Sequence, residues 1–73
     1  MFDDVKALIL KHNLTNLWMI RCLNEKGVIV DTWSFSKWLN GKQLGDKAKE
    51  VHDICIRILT AYEEKFSNIL KEI

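Results

Sequence analysis

The chain has no proline and only three glycines among 73 residues. So few chain breakers argue against a many-turned all-β fold and for a helical one. Cysteine is also scarce. Cys22 and Cys55 lie far apart, each inside an apolar helical pattern. Neither has a second Cys at metal-ligand spacing, so we read them as small core residues and expect no metal. No apolar run approaches the ~20 residues that a membrane-spanning helix requires. The first residues show no basic region followed by an apolar stretch, so no signal peptide is expected and the reading is cytoplasmic. Charge of one sign is lacking too: 11 Lys and Arg face 10 Asp and Glu, a net charge of +1. No strong field therefore announces a partner.

Catalysis and cofactors have little to stand on. His12 and His52 are the only histidines, and neither has a Cys or a paired carboxylate beside it in sequence. Asp3 with Asp4, and Glu63 with Glu64, are adjacent pairs. Adjacent residues on a helix point about 100° apart and do not converge on one substrate. There is no Gly-rich phosphate loop. The expectation is a non-enzyme without a cofactor.

What is present is an ordinary globular mixture, 48% hydrophobic and 29% charged, enough for one domain over residues 1–73. Below about 80 residues a single core supplies only a few kcal/mol of net stability, so dense helix packing or a second copy is needed. The charge is uneven. Residues 21–50 carry six basic and four acidic groups and form the electropositive part, against two and two in residues 1–20 and three and four in residues 51–73.

The spacing predicts an all-α fold of four helices. The first runs from about Asp3 to His12, with Asp3 or Asp4 as cap and Val5, Leu8, Ile9 and His12 in helical register. His12 is placed near that helix's C-terminal dipole, and Asn13 suits a left-handed residue at its end. The second helix starts at Thr15, a good N-cap, with Leu14 able to fold back on Met19 as a hydrophobic staple. Leu17, Ile20 and Leu23, with Trp18 or Met19 beside them, give its apolar face, and Gly27 ends it. Val28-Ile29-Val30 is too short to build a sheet and reads as an extended connector burying one or two side chains. The third helix starts at Asp31 or Thr32 and stops at Asn40-Gly41. Phe35, Trp38 and Leu39 are its buried face, and Trp33, Lys37 and Asn40 its opposite face, with Ser34 and Ser36 to the sides.

The fourth helix, about 46–73, is long and amphipathic. Val51, Cys55, Ile58, Tyr62, Phe66, Ile69 and Ile73 are spaced 4, 3, 4, 4, 3, 4, two 11-residue repeats with a period of about 3.67. Ile54, Leu59 and Leu70 widen the stripe. Such a helix outreaches a body of three short ones. Its half from 59 to 73 either folds back over the first helix or pairs with a second copy through Tyr62, Phe66, Ile69 and Ile73. We favour the homodimer.

At this point the residues resemble a known family. Leu14-Thr15-Asn16 is similar to the Leu-Thr-Gln that opens the second helix in the Cro and lambda-repressor-like helix-turn-helix family. Ser34-Phe35-Ser36-Lys37-Trp38-Leu39-Asn40-Gly41-Lys42 resembles the Thr-Ile-Ser-Arg-Trp-Leu-Asn-Gly-Lys of its recognition helix and following loop. The likeness covers roughly residues 3–58 and is nearest to small phage or prophage members with a longer connector between the central helices. It implies a helix-turn-helix domain that binds duplex DNA as a small transcriptional regulator or repressor. Carried over by position, Thr32, Trp33, Ser34 and Lys37 would read bases. Thr15, Asn16, Ser36, Asn40, Lys42 and Gln43 would meet phosphates. The chain departs from the pattern in its longer connector, in bulky Ile20 where a small residue usually packs, in Trp33, and in Lys37 for an arginine. A lysine gives up bidentate guanine recognition.

Two readings of the surface follow. In the first, the short polar-faced third helix enters a DNA major groove about 12 Å wide, helped by Lys37, Lys42, Lys47 and Lys49 on one flank and Arg21 and Lys26 on the second helix. In the alternative, the scaffold is a phage protein that inhibits or adapts a protein partner. Trp33 bears on the choice. It either makes an apolar contact to DNA, or packs on Val28, on Val30 or on another chain.

Overall fold

The computed structural model describes residues 1–72, with side chains described through Ile69. It is all-α: α1 (Asp3–Lys11), α2 (Asn16–Glu25), α3 (Thr32–Leu39) and α4 (Asp46–Glu72). Ile73, the last member of the proposed dimer stripe, lies outside the described residues. Among the described residues no helix is long and apolar enough to cross a membrane.

The helix boundaries follow from local chemistry. Thr15 adopts extended backbone and its Oγ1 accepts from the Trp18 amide at 3.0 Å. Asp31 does the same for α3, its Oδ2 accepting from the Ser34 amide at 3.3 Å. Each cap meets one of the amides that a helix start leaves without an intrahelical partner. The first helix differs from expectation. Neither Asp3 nor Asp4 caps it. Phe2 occupies the cap position without a side-chain bond, and the Asp4 carboxylate takes the neighbouring Val5 amide at 2.7 Å.

The first three helices end in one way. Asn13, Gly27 and Gly41 take positive φ of 55°, 83° and 77°. The next residue's amide then reaches back to the helix: Leu14 to Ile9, Val28 to Leu23 and Lys42 to Lys37, at 2.8, 2.9 and 2.8 Å. This is the Schellman arrangement, in which a left-handed residue lets the chain satisfy the last carbonyls. Leu14 and Val28 then pack against the core. The connector buries one side chain fully and one in part, within the expected one or two: Val30 is buried and Val28 half-buried, while Ile29 is exposed.

One core holds the four helices together. α4 packs on α1 and α2, α2 on α3, and α1 on α3. Val5 and Ile9 come from α1, Met19, Ile20 and Leu23 from α2, Phe35, Trp38 and Leu39 from α3, and Ala48, Val51, Cys55 and Leu59 from α4. Two expectations about faces need correction. Leu17 is 52% exposed, because Met19, Ile20 and Leu23 set the buried phase of α2. On α4, Leu59 is fully buried while Ile58 is only partly so, which turns the inward stripe to Ala48, Val51, Cys55, Leu59 and Tyr62. Phe2 also enters the core although it precedes the first helix.

The molecule is elongated, 42 × 23 × 18 Å. With 27 residues at 1.5 Å rise, α4 is about 40 Å long and sets the long dimension.

Candidate nucleic-acid interface

The outer face of α3 is built by the inner one. Phe35 is fully buried, Trp38 and Leu39 nearly so, and this fixes the helix rotation. With 100° per residue, Thr32, Trp33, Ser36, Lys37 and Asn40 must then turn outward. Thr32, Trp33, Ser36 and Asn40 are exposed and Lys37 is half-buried. Ser34, a base-reading candidate, sits to the side and is half-buried, its amide taken by the Asp31 cap.

Two of the predicted residues are in contact. The Lys37 Nζ stands 3.7 Å from the centroid of the Trp33 ring. The indole stands out 62% exposed, and it does not bury itself on Val28 or Val30. A cation over an exposed indole contributes about 0.5–1 kcal/mol, so the pair is a preferred arrangement and not a rigid one. Lys37 therefore lies along α3 with one face of Trp33 covered and the other open.

The phosphate candidates fall into two groups. Thr15 spends its hydroxyl on the cap, and Asn16 is exposed in the first turn of α2. Asn40, Lys42 and Gln43 lie in the exposed turn after α3. The Asn40 amide returns to Ser36 and Lys37 carbonyls at 3.2 Å, so this turn is tied to the helix end. Gln43 is held at φ 53°, a left-handed conformation uncommon for a side-chain-bearing residue.

The basic flank is thinner than expected. The Lys47 Nζ donates to the Ile29 carbonyl at 3.2 Å and so ties α4 to the connector. Lys42, Lys49, Arg21 and Lys26 are exposed. Asp31 brings an opposite charge to the start of α3. The hydrogen bond from Ser34 holds its carboxyl below the usual range. Ile29, 72% exposed, is an apolar residue that the pattern reading did not place on the surface. Alternation inside the three-residue connector was the available signal, since burying Val30 turns Ile29 outward.

The dimer candidates behave differently from one another. Tyr62 is half-buried within its own chain, its ring 5.1 Å from His12 and 5.5 Å from Trp18 in edge-to-face contacts. It therefore has an intrachain partner, and α4 does fold over the end of α1 as far as this turn. Phe66 touches His12 at 5.7 Å yet stays 44% exposed, and Ile69 is 50% exposed. The face left open is Phe66 and Ile69.

Sequence reasoning missed two histidine–carboxylate pairs on the α1–α4 seam. His12 Nε2 lies 3.0 Å from Glu63 Oε1, which also accepts from Lys11 Nζ at 2.9 Å. His52 Nε2 lies 3.0 and 3.2 Å from the two oxygens of Asp4. Their partners are 51 and 48 residues away in sequence, beyond the reach of any local pattern. The bonds from Lys11 and then His12 hold the Glu63 carboxyl below its ordinary range. At Asp4 burial works upward, but the His52 bond and the Val5 amide outweigh it and the carboxyl is lowered. Burial pushes the Cys55 thiol up to about 12, which suits an inert core residue.

Lowered folded-state carboxyls stabilise the fold above the unfolded range near pH 4, and that contribution is lost as pH falls through the folded values. The denaturant midpoint should therefore drop below about pH 4. An Asp4→Asn/Glu63→Gln variant should show a shallower drop across the same window, and equal slopes would remove these pairs from acid stability.

Among the described residues no group of three or more His, Cys, Asp or Glu side chains could hold a metal. No protein-family model matches the chain, and no curated protein and no solved structure matches it.

Proposed function

We propose that the chain is a small helix-turn-helix regulator that binds duplex DNA through α3, as a homodimer in the cytoplasm. The observation that carries the reading is the pairing of faces on α3. Phe35, Trp38 and Leu39 anchor one side, so that Thr32, Trp33, Ser36, Lys37 and Asn40 form an unobstructed outer side. A short helix presented in this way fits a major groove about 12 Å wide. The capped start of α2 and the exposed turn with Lys42 and Gln43 supply donors for flanking phosphates. Phe66 and Ile69 supply the open apolar face for a second copy.

In vitro selection of duplexes from a random library tests the reading directly. The expected result is an enriched palindrome with half-sites one turn, about 34 Å, or a multiple apart. No enrichment by a folded protein would overturn it. On the selected duplex, Lys37→Ala should weaken binding by about 1–3 kcal/mol in an anisotropy titration. An unchanged affinity would take Lys37 off the reading face.

A second reading, a protein-binding scaffold, is favoured by the exposure of Trp33 and Ile29. Exposed indoles are the side chains most used as anchors in protein interfaces. It predicts no DNA affinity, and loss of partner binding on Trp33→Ala.

A further inference from the structure

Trp33 and Lys37 are the two longest side chains on the outer face of α3. Thr32, Ser36 and Asn40 beside them are short. A helix with its side chains is about 10–12 Å across and nearly fills a major groove about 12 Å wide. The long groups on its outer face therefore reach the base edges first and hold the short ones back. Of the two, Trp33 sits in the first turn of α3, the part of a groove-reading helix that meets base edges. Burial of Phe35, Trp38 and Leu39 on the other side fixes that placement.

The indole stands free of the core. It is 62% exposed, and the Lys37 Nζ stands over one face, 3.7 Å from the ring centroid. One face and the ring edge stay open. Neither side chain can accept a hydrogen bond; the indole N–H and the ammonium only donate. Every base pair offers an acceptor in the major groove, so a lone indole donor separates the bases poorly. What differs between them is the one apolar substituent there, the methyl on C5 of thymine. An apolar ring gains by covering that methyl. Set against a cytosine edge instead, it would strand an amino donor away from water, which costs free energy.

We infer that Trp33 is the specificity-determining residue of α3 and that it reads the C5-methyl group of a pyrimidine in the major groove. The inference rests on the DNA reading and adds the chemical feature that is recognised. Lys37 occupies one face of the ring, so the methyl is met on the other. Thymine and 5-methylcytosine both carry this group.

Anisotropy titration of the unmodified chain on its selected duplex tests this, with each thymine in turn replaced by deoxyuridine. The replacement deletes the methyl and keeps the pairing. At one thymine per half-site it should weaken binding about 4-fold, the usual effect of one buried methylene-sized group, and at both half-sites together about 10-fold or more. At the same position, 5-methylcytosine paired with guanine should bind more tightly than cytosine paired with guanine. Affinity below that for thymine marks thymine as the source of the methyl, and equal affinity admits both bases. Trp33→Ala, at an exposed position, should keep the circular dichroism of the unmodified chain and bind the thymine and deoxyuridine duplexes alike. Trp33→Phe, which keeps an apolar ring, should restore part of the difference. An affinity indifferent to every deoxyuridine replacement would overturn the inference and leave the DNA reading in place. So would a deoxyuridine penalty undiminished in Trp33→Ala. A folded chain that selects no duplex would overturn the DNA reading, and this inference with it.

Discussion

Phe35→Ala is expected to destabilise the fold by about 3–5 kcal/mol, the usual range for truncating a buried aromatic. Domains of this size typically hold about 0.05–0.15 kcal/mol per residue, so the loss is a large share of the total. The site explains the size. Phe35 has no exposed surface, and its ring meets that of Phe2 edge-on, with centroids 6.3 Å apart. α3 has only eight residues, three of them buried. An isolated helix of that length does not form in water, because nucleation costs more than two turns return. Losing one of three anchors therefore releases the helix as well as leaving a cavity. Guanidinium unfolding followed by circular dichroism checks it. Phe35→Leu should recover much of the loss by refilling the volume. A cooperative transition for Phe35→Ala near that of the unmodified chain would mean that α3 is held by some other face, and the outward set from Thr32 to Asn40 would fall with it.

Much of the fold was legible because its signals are local. Thr15, Asn13, Gly27 and Gly41 act through hydrogen bonds within five residues, so their residue types are enough to place the start of α2 and the C-terminal ends of α1, α2 and α3. Asp31 and the Phe35-Trp38-Leu39 spacing fixed α3 in the same way. The illegible parts are those decided by other helices. Leu17-Trp18-Met19-Ile20 is apolar on every side of the helix, so periodicity offers several faces and only packing selects Met19 and Ile20 over Leu17. Ile54 to Leu59 poses the same ambiguity on α4, where Leu59 rather than Ile58 turns fully inward. Adjacent carboxylates at Asp3 and Asp4 looked like caps, whereas Asp4 serves a histidine 48 residues away.

The site was legible to the same depth. The outward residues of α3 followed from its inward ones. The Trp33–Lys37 contact was within reach, since residues four apart on a helix are neighbours. The thinning of the basic flank was not, because Lys47 is claimed by a carbonyl 18 residues back. Nor was the division of the α4 stripe. Whether Tyr62 faces its own chain or open water depends on where α1 ends in space, and the 11-residue period is the same in both cases.

Phe2→Ala should have an effect of the same order as Phe35→Ala, about 3–5 kcal/mol, although no pattern marks the residue. A single aromatic ahead of the first helix belongs to no periodic series, and it is 1% exposed. Its ring stacks on Trp38 at 6.1 Å, meets Phe35 edge-on, and meets His52 edge-on at 5.3 Å. Phe2 thus joins the start of α1 to α3 and α4 at once. Its carbonyl also accepts from the Lys6 amide at 2.9 Å, where the ladder of α1 begins. Aromatic pairs contribute about 0.5–1.5 kcal/mol beyond area burial, so Phe2→Leu should recover only part of the loss. For a domain of this size 1 kcal/mol shifts Tm by about 4–8 °C, so Phe2→Ala should melt at least about 12 °C lower. Lys6→Ala, at an exposed position one turn on, should stay within about 0.5 kcal/mol of the unmodified chain. A shift for Phe2→Ala no larger than that for Lys6→Ala would show that α1 is held to the body by Val5 and Ile9 alone. The His52–Asp4 pair would then be left without the ring that positions it.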